Sequence, residues 1–407
     1  MAAVPLRRNR DFVLLQTGQF LSDAGSQATS IAYPLLALAL THSAVKAGVV
    51  SFARTAPIAL FAIPAGLLAD RWNRRGLMIA ADALRAAAIG GLAIGLVVGG
   101  VAFWVLPCVA FVEGIGSTIF NAAQPGALRA VVPAGQLPAA AGAQSGRSAA
   151  VRIIGPPLGG ALFEAGRALP FLADALSYAC STMSLLLVRA RFQEERERDP
   201  GTARQRAAEG LAFTWGQPFL RTTAFLYGLL NFSALGLLFC IVIIGQSEGL
   251  SGGVIGLLTG VFAASVVVGS FLSRFIRSAL SVHAVLILEV WAWLGCAVFL
   301  LWPHAVVLAL GLVPVGLAVP STDSVVNGYR IAATPDRLLG RSESVRSAIA
   351  LSAASVAPLA AGFLFQHSTP RWTVAFFTAW ALGLAVWATA SRALRDPPPL
   401  LPGHAVS

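Results

Sequence analysis

Long apolar blocks alternate with short polar segments along the whole chain of 407 residues. At about 1.5 Å of helix rise per residue, a block of about 20 residues crosses a hydrocarbon core of about 30 Å. Splitting the chain at its charge clusters and its Pro, Gly and Asn turns predicts twelve spanning helices, at 12–38, 46–69, 76–98, 103–124, 139–164, 169–189, 219–245, 251–273, 280–301, 305–328, 341–365 and 372–393. Halfway along, the run RARFQEERERDPGTARQR mixes both signs of charge, as a solvated linker or surface helix does. The expected organisation is therefore an N-terminal bundle over 1–190, a cytoplasmic linker over 191–218, and a second bundle with a short cytoplasmic tail over 219–407.

Composition agrees with an all-α integral membrane protein. Charged residues make up 12% of the chain and hydrophobic residues 57%, with a mean hydropathy of +0.75. Soluble domains carry about 25% charged residues, so a soluble enzyme, a disordered chain and a disulfide-stapled secreted domain are all excluded. Cys108, Cys180, Cys240 and Cys296 fall in four different apolar blocks without metal-ligand spacing, as small hydrophobes do. The first apolar block is too long for a signal-peptide core and lacks a small-residue cleavage site, which makes it a retained first span.

The basic residues orient the spans. With the N-terminus inside, 21 of the 29 Lys and Arg residues fall on the inner side, three (Lys46, Arg167 and Arg371) on the outer side, and five within spans. Basic residues are retained on the cytoplasmic side of short loops, so both termini are expected in the cytoplasm of a cell with an inner membrane. The same asymmetry accounts for the net charge of +11. It sits beside anionic headgroups, and nucleic acid is not an expected partner.

The two halves repeat. GLLADRWNRR (66–75) falls on GSFLSRFIRS (269–278) at an offset of 203, SGRSA (145–149) on SVRSA (344–348) at 199, and PLGG (157–160) on PLAA (358–361) at 201. Two six-helix halves in the same orientation imply a pseudo-twofold axis along the membrane normal, a parallel repeat whose halves can rock about a central site.

Four stretches carry a family resemblance. Gly66-Leu-Leu-Ala-Asp70-Arg71-Trp-Asn-Arg74-Arg75 resembles the loop between spans 2 and 3 of the major facilitator superfamily, with Asn73 where glycine is usual. Asparagine also tolerates a left-handed turn. Gly66 is expected to let two helices approach closely, Asp70 to meet a helix N-terminus or an arginine, and Arg71, Arg74 and Arg75 to anchor the loop inside. In the family this loop latches the cytoplasmic gate. Gly155-Pro156-Pro157-Leu-Gly159-Gly160 resembles the superfamily's span-5 pattern associated with exporters, a stretch able to bend and seal against a neighbour. The pattern's earlier glycine is replaced by Val151, and Ala110 stands where related drug exporters have an arginine in span 4. The start Arg10-Asp11-Phe12 and the loop Pro335-Asp-Arg337-Leu-Leu-Gly340-Arg341 are similar to those of macrolide-efflux and enterobactin-exporter proteins. The resemblance implies a twelve-helix exporter of the drug:proton antiporter type.

Charges inside a membrane cost at least about 2.5–3.5 kcal/mol each and so face a cavity or a partner. Asp82 and Arg85 stand three apart on one helix face and can pair. Glu113 and Arg152 lie at similar depth on consecutive spans, and an ion pair between them is expected. A carboxylate that loses its cation takes up a proton more readily, so such a pair serves either proton coupling or structure alone. Asp23 in span 1 and Asp323 in span 10 have no evident local partner and are the next candidates for coupling or substrate binding. Arg147 and Arg346, related by the repeat, are expected to meet loop acids such as Asp70, while Arg54 and Asp174 lie nearer the outer surface. Phe20, Tyr33, Phe120, Tyr227, Phe232 and Trp291 are candidate walls of an apolar pocket.

No P-loop appears and the five histidines form no H-x-x-x-H pair, so neither ATP hydrolysis nor a metal site is expected, and no cofactor. The expectation is a monomeric secondary transporter, not an enzyme, exporting a small amphipathic organic molecule in exchange for protons. A proton-coupled importer of the same fold, and a membrane sensor or assembly partner that does not transport, stay open.

Overall fold

The computed structural model describes residues 5–190, 192 and 203–395 of the chain. Of the expected linker, 191 and 193–202 lie outside the described residues, as does the tail beyond 395; the side chains of Asp70 and of most positions from 336 to 345 lie outside them too. The described residues are almost entirely helical and include no strand.

The first six long helices are α1 (Arg10–Thr41), α2 (Ala44–Arg71), α3 (Arg74–Val98), α4 (Val105–Val131), α5 (Leu137–Ala165) and α6 (Leu169–Leu187). The short α7 (Ala203–Gly216) follows, then α8 (Pro218–Ser247), α9 (Gly252–Ala279) and α10 (Val282–Ala292), which continues as a 3₁₀ helix over Trp293–Leu300. α11 (Ala305–Gly311) and α12 (Val313–Ala333) together make one span, and α13 (Asp336–His367), α14 (Pro370–Ala390) and the short α15 (Arg392–Arg395) complete the chain. Counting the two broken stretches as single spans, these are the twelve expected spans, nine of them longer than their apolar blocks, and polar turns cap several of them. The Asn9 side chain accepts the Phe12 amide, Ser43 that of Lys46, Ser281 that of Ala284 and Thr369 that of Trp372.

Ten of the spans among the described residues are apolar enough to cross a membrane on length and composition alone. The two that fall short are α1 and α5, of 32 and 29 residues. They are long enough but polar, and they pack against each other.

The chain divides into two compact units. One comprises Met1–Asp199 with Gly249–Gly260, the other Pro200–Glu248 with Val261–Ser407. In the first, α2 packs on α4, α3 on α4 and α6, and α1 on α5 and α6. In the second, α13 packs on α8 and α7, α14 on α8 and the 3₁₀ segment, and α10 on α12. Water supplies no driving force between helices in lipid, so close backbone approach takes its place. Gly114 rests on the carbonyl of Arg54, and Gly295 on that of Gly311.

Candidate functional site

The interior of the first unit holds a continuous polar network. From α4, Glu113 accepts two hydrogen bonds from Arg54 Nε on α2, each 3.1 Å, and one from Arg54 Nη2 at 2.8 Å. Arg54 Nη2 also donates to the Ser26 carbonyl of α1 at 2.8 Å. Tyr178 of α6 donates to Glu113 at 3.3 Å, and its hydroxyl lies 2.7 Å from that of Ser26. One turn away, the Asp174 carboxylate accepts from Thr29 at 2.9 Å and from Ser177 at 3.2 Å. A buried ion is tolerated only when it is paired and its remaining valences are met. Glu113 satisfies this rule with its side chain 2% exposed.

Beside it, Arg85 pairs with Asp82 along one face of α3, the geometry that their spacing predicts. The Arg85 guanidinium lies 4.2 Å from the Tyr178 ring centre and 5.0 Å from that of Phe120. Of the aromatics expected at a pocket wall, Tyr33 and Phe120 are instead buried in the bundle, whereas Phe20 and Trp291 are exposed.

The expected pair between Glu113 and Arg152 does not form. α4 packs on α2 and α3, while α5 packs on α1 and α6, so these two consecutive helices do not pack on each other. The partner, Arg54, lies at matching depth: Arg54 is ten residues from the start of α2 and Glu113 eight from the start of α4, and the two helices run in the same direction. Arg147 meets Asp23 of α1 at 2.6 Å rather than a loop acid. Asp23 thus has a partner after all. This pair differs from the other two, because the Asp23 side chain is 44% exposed while that of Arg147 is 8% exposed. Arg54 and Asp174, expected nearer the outer surface, belong to the interior network. Arg152 is exposed, and no hydrogen bond or ion pair holds it among the described residues.

The loop at 66–75 is fastened to its own unit. Arg75 donates from Nε to the Leu185 carbonyl at 2.9 Å and from Nη2 to that of Leu186 at 2.7 Å, closing the C-terminal end of α6. Arg74 donates to the Ala69 carbonyl at 3.1 Å and packs over Gly126 of α4, while Arg71 is exposed. Asn73 does not take a left-handed turn: its backbone is extended and its side chain caps α3 by accepting the Gly76 amide at 3.2 Å. Gly66 does not mediate a close approach either, since a Cβ there would meet nothing within 4 Å. The Asp70 side chain lies outside the described residues.

Glycines of the span-5 stretch are packing surfaces. α5 runs unbroken through Pro156 and Pro157. A Cβ on Gly155 would strike Gln27, and one on Gly159 the backbone of Ala28, so this edge of α5 lies directly on α1. A quarter-turn round the helix, Gly160 lies against the Gly252 backbone, and Gly256 against the Pro156 carbonyl, all within the first unit.

In the second unit, Glu289 of α10 is buried close to Thr322 and Tyr227, and the charge of Asp323 acts on both Glu289 and Tyr227. Asp323 itself is on the exposed side of α12.

A family model described as transmembrane secretion effector matches residues 2–397. The multidrug efflux pump Tap of Mycolicibacterium fortuitum is 27% identical over 226 residues, which is 52% of this chain and 54% of Tap. The chain therefore spans about half the length of that relative in the match. Among solved structures, a bacterial homologue of the iron transporter ferroportin superposes with a TM-score of 0.75 at 19% identity, covering 95% of this chain and 99% of its own. A bacterial homologue of the human lysosomal transporter Spinster gives 0.74 at 14% identity, covering 95% and 97%. The nucleoside transporter NupG gives 0.71 at 11% identity, covering 94% and 98%. At these identities the likeness is one of fold.

Proposed function

Because the chain belongs to the transmembrane secretion effector family of the major facilitator superfamily, we propose that this multi-pass membrane transporter exports a small amphipathic organic compound from the cytoplasm by alternating access, in exchange for protons. The distribution of arginine supports a cytoplasmic position for both termini. Support for an efflux direction comes from the match to Tap and from the Gly155–Gly160 stretch.

The observation that carries the coupling is the contrast between the ion pairs of the first unit. Glu113 is sealed by Arg54 and Tyr178, and Asp82 is buried with Arg85. Asp23 alone among the three acids is both paired and open. A proton carrier needs a cation that holds its charged form and a path to water that lets it exchange. Asp23, with Arg147, meets both needs, and Glu113 is assigned to structure.

The test is accumulation of a panel of anionic, neutral and cationic dyes and antibiotics in cells stripped of their own efflux pumps. Expression of the wild type is expected to lower accumulation, and a protonophore to abolish the difference. Asp23→Asn is expected to remove protonophore-sensitive efflux while reaching the membrane in normal amounts. Higher accumulation on expression would reverse the direction, and full proton-driven efflux by Asp23→Asn would remove that residue from coupling.

A further inference from the structure

Among the described residues, Arg152 is the one arginine within a span of the first unit that no carboxylate or carbonyl holds. Arg54 is bound to Glu113, Arg85 to Asp82 and Arg147 to Asp23. Arg152 is exposed, on the helix that carries Arg147, the partner of Asp23. It stands 15 residues from the start of α5 and 13 from its end. At about 1.5 Å per residue, that is about 20 Å from either end, beyond the reach of a snorkelling side chain. An arginine at this depth is costly against lipid and needs water or an acidic partner beside it.

Three observations place a ligand beside it. α1 and α5, the two helices too polar to qualify as spans on composition, pack against each other and carry Asp23, Arg147 and Arg152. The Nε of the nearly buried Arg147 has no hydrogen-bond partner, and neither has Nε2 of buried Gln19, one turn before Asp23. The local charge does not cancel: Arg85 is matched by Asp82 and Arg147 by Asp23, which leaves the charge of Arg152 over. Unused donors and a surplus positive charge call for an acceptor carrying negative charge.

We propose that the α1–α5 face is an anion subsite and that the transported compound carries a carboxylate or comparable acidic group, bound by Arg152 with Arg147 in support. This rests on the reading of the chain as an organic-solute transporter and narrows its substrate class to acidic amphiphiles. Asp23 keeps Arg147 oriented while Arg152 supplies the free charge.

The test is equilibrium binding to the purified full-length protein in a non-ionic detergent, corrected against empty micelles. The probes are two xanthene dyes of similar size, anionic fluorescein and the cationic ester rhodamine 6G. Fluorescein is expected to bind at least tenfold tighter. Arg152→Gln is expected to weaken it by about tenfold, the loss of one charge-assisted hydrogen bond, and to erase the preference. Arg152→Lys is expected to retain it, and Arg371→Gln, which removes an exposed arginine elsewhere, to leave it unchanged. Arg152 has no partner to lose, so the Gln variant disturbs no buried contact. Equal binding of the dyes, tighter binding of rhodamine 6G, binding of neither, or an unaltered preference in Arg152→Gln each overturns the proposal. Binding needs no proton gradient, so an anion preference without efflux would instead count against the exporter reading.

Discussion

Replacing Glu113 with leucine removes the acceptor of three of the four hydrogen bonds that Arg54 makes, leaving the guanidinium with the Ser26 carbonyl alone. Breaking one side of a buried pair costs about 3–5 kcal/mol because the other charge is stranded. The Arg54 side chain is 21% exposed, so water relieves part of the strain and the lower end of that range applies. At about 2–4 °C per kcal/mol for a unit of about 200 residues, a loss of about 3 kcal/mol lowers the unfolding midpoint by about 6–12 °C. Removing both charges, as Arg54→Met with Glu113→Leu, strands neither, and a well-packed apolar pair is close to neutral in such positions. The double variant is therefore expected to regain most of the midpoint lost by the single one. Tryptophan fluorescence during heating at one fixed scan rate reads all four proteins of the cycle. A double variant as unstable as the sum of the singles, or a Glu113→Leu midpoint equal to wild type, refutes the assignment of this pair to structure.

Three further outcomes follow from the packing. Gly159→Val drives a side chain into the Ala28 backbone and is expected to destabilise by about 1–3 kcal/mol, whereas Gly66→Ala meets open space and gains up to about 1 kcal/mol of helix propensity; a loss of midpoint in Gly66→Ala would contradict the open space. Arg75→Gln frees the Leu185 and Leu186 carbonyls, so amide exchange around 185–190 is expected to quicken about fivefold, for about 1 kcal/mol of local stability, and unchanged protection there would show that Arg75 does not hold α6. Alkaline phosphatase inserted at the His42–Ser43 turn is expected to be active, and the same enzyme fused at the C-terminus inactive; the reverse pattern would invert the topology.

The span count, the pairing of Asp82 with Arg85 and the family were all legible in the chain, because each depends on local spacing or on a block of apolar residues. Partner choice across helices was not. Glu113 was matched to Arg152 on the assumption that consecutive spans touch, but α4 lies between α2 and α3. Depth along the bilayer is readable from one sequence, whereas azimuth is not, and it is azimuth that selects Arg54. Asn73 was misread for a related reason. Asparagine suits both a left-handed turn and an N-cap, and the choice fell to the extended backbone leading into α3. Gly66 carries a motif but meets open space, whereas Gly159, in the span-5 motif, and Gly114, in none, make the tight contacts.

Exposure, more than charge itself, separates the roles of these intramembrane groups. A pair such as Arg54 and Glu113 adds little net stability over an apolar pair, yet it fixes the register of α1, α2, α4 and α6 through Ser26 and Tyr178. A sealed pair cannot meet a solute or trade a proton with water. The α1–α5 face is the reverse case: its acid is half open, its second arginine is unheld and its helices are too polar to sit in lipid on composition alone. Polar surface of that kind is unfavourable in a bilayer unless water reaches it. The glycine edge of α5 keeps this surface in place, because Gly155 and Gly159 press the helix onto Gln27 and Ala28 one turn beyond Asp23. A change at Gly159 therefore bears on more than packing: it shifts Arg147 and Arg152 against Asp23, so a Gly159 variant that still folds should lose its preference for an anionic probe even with every charged residue in place.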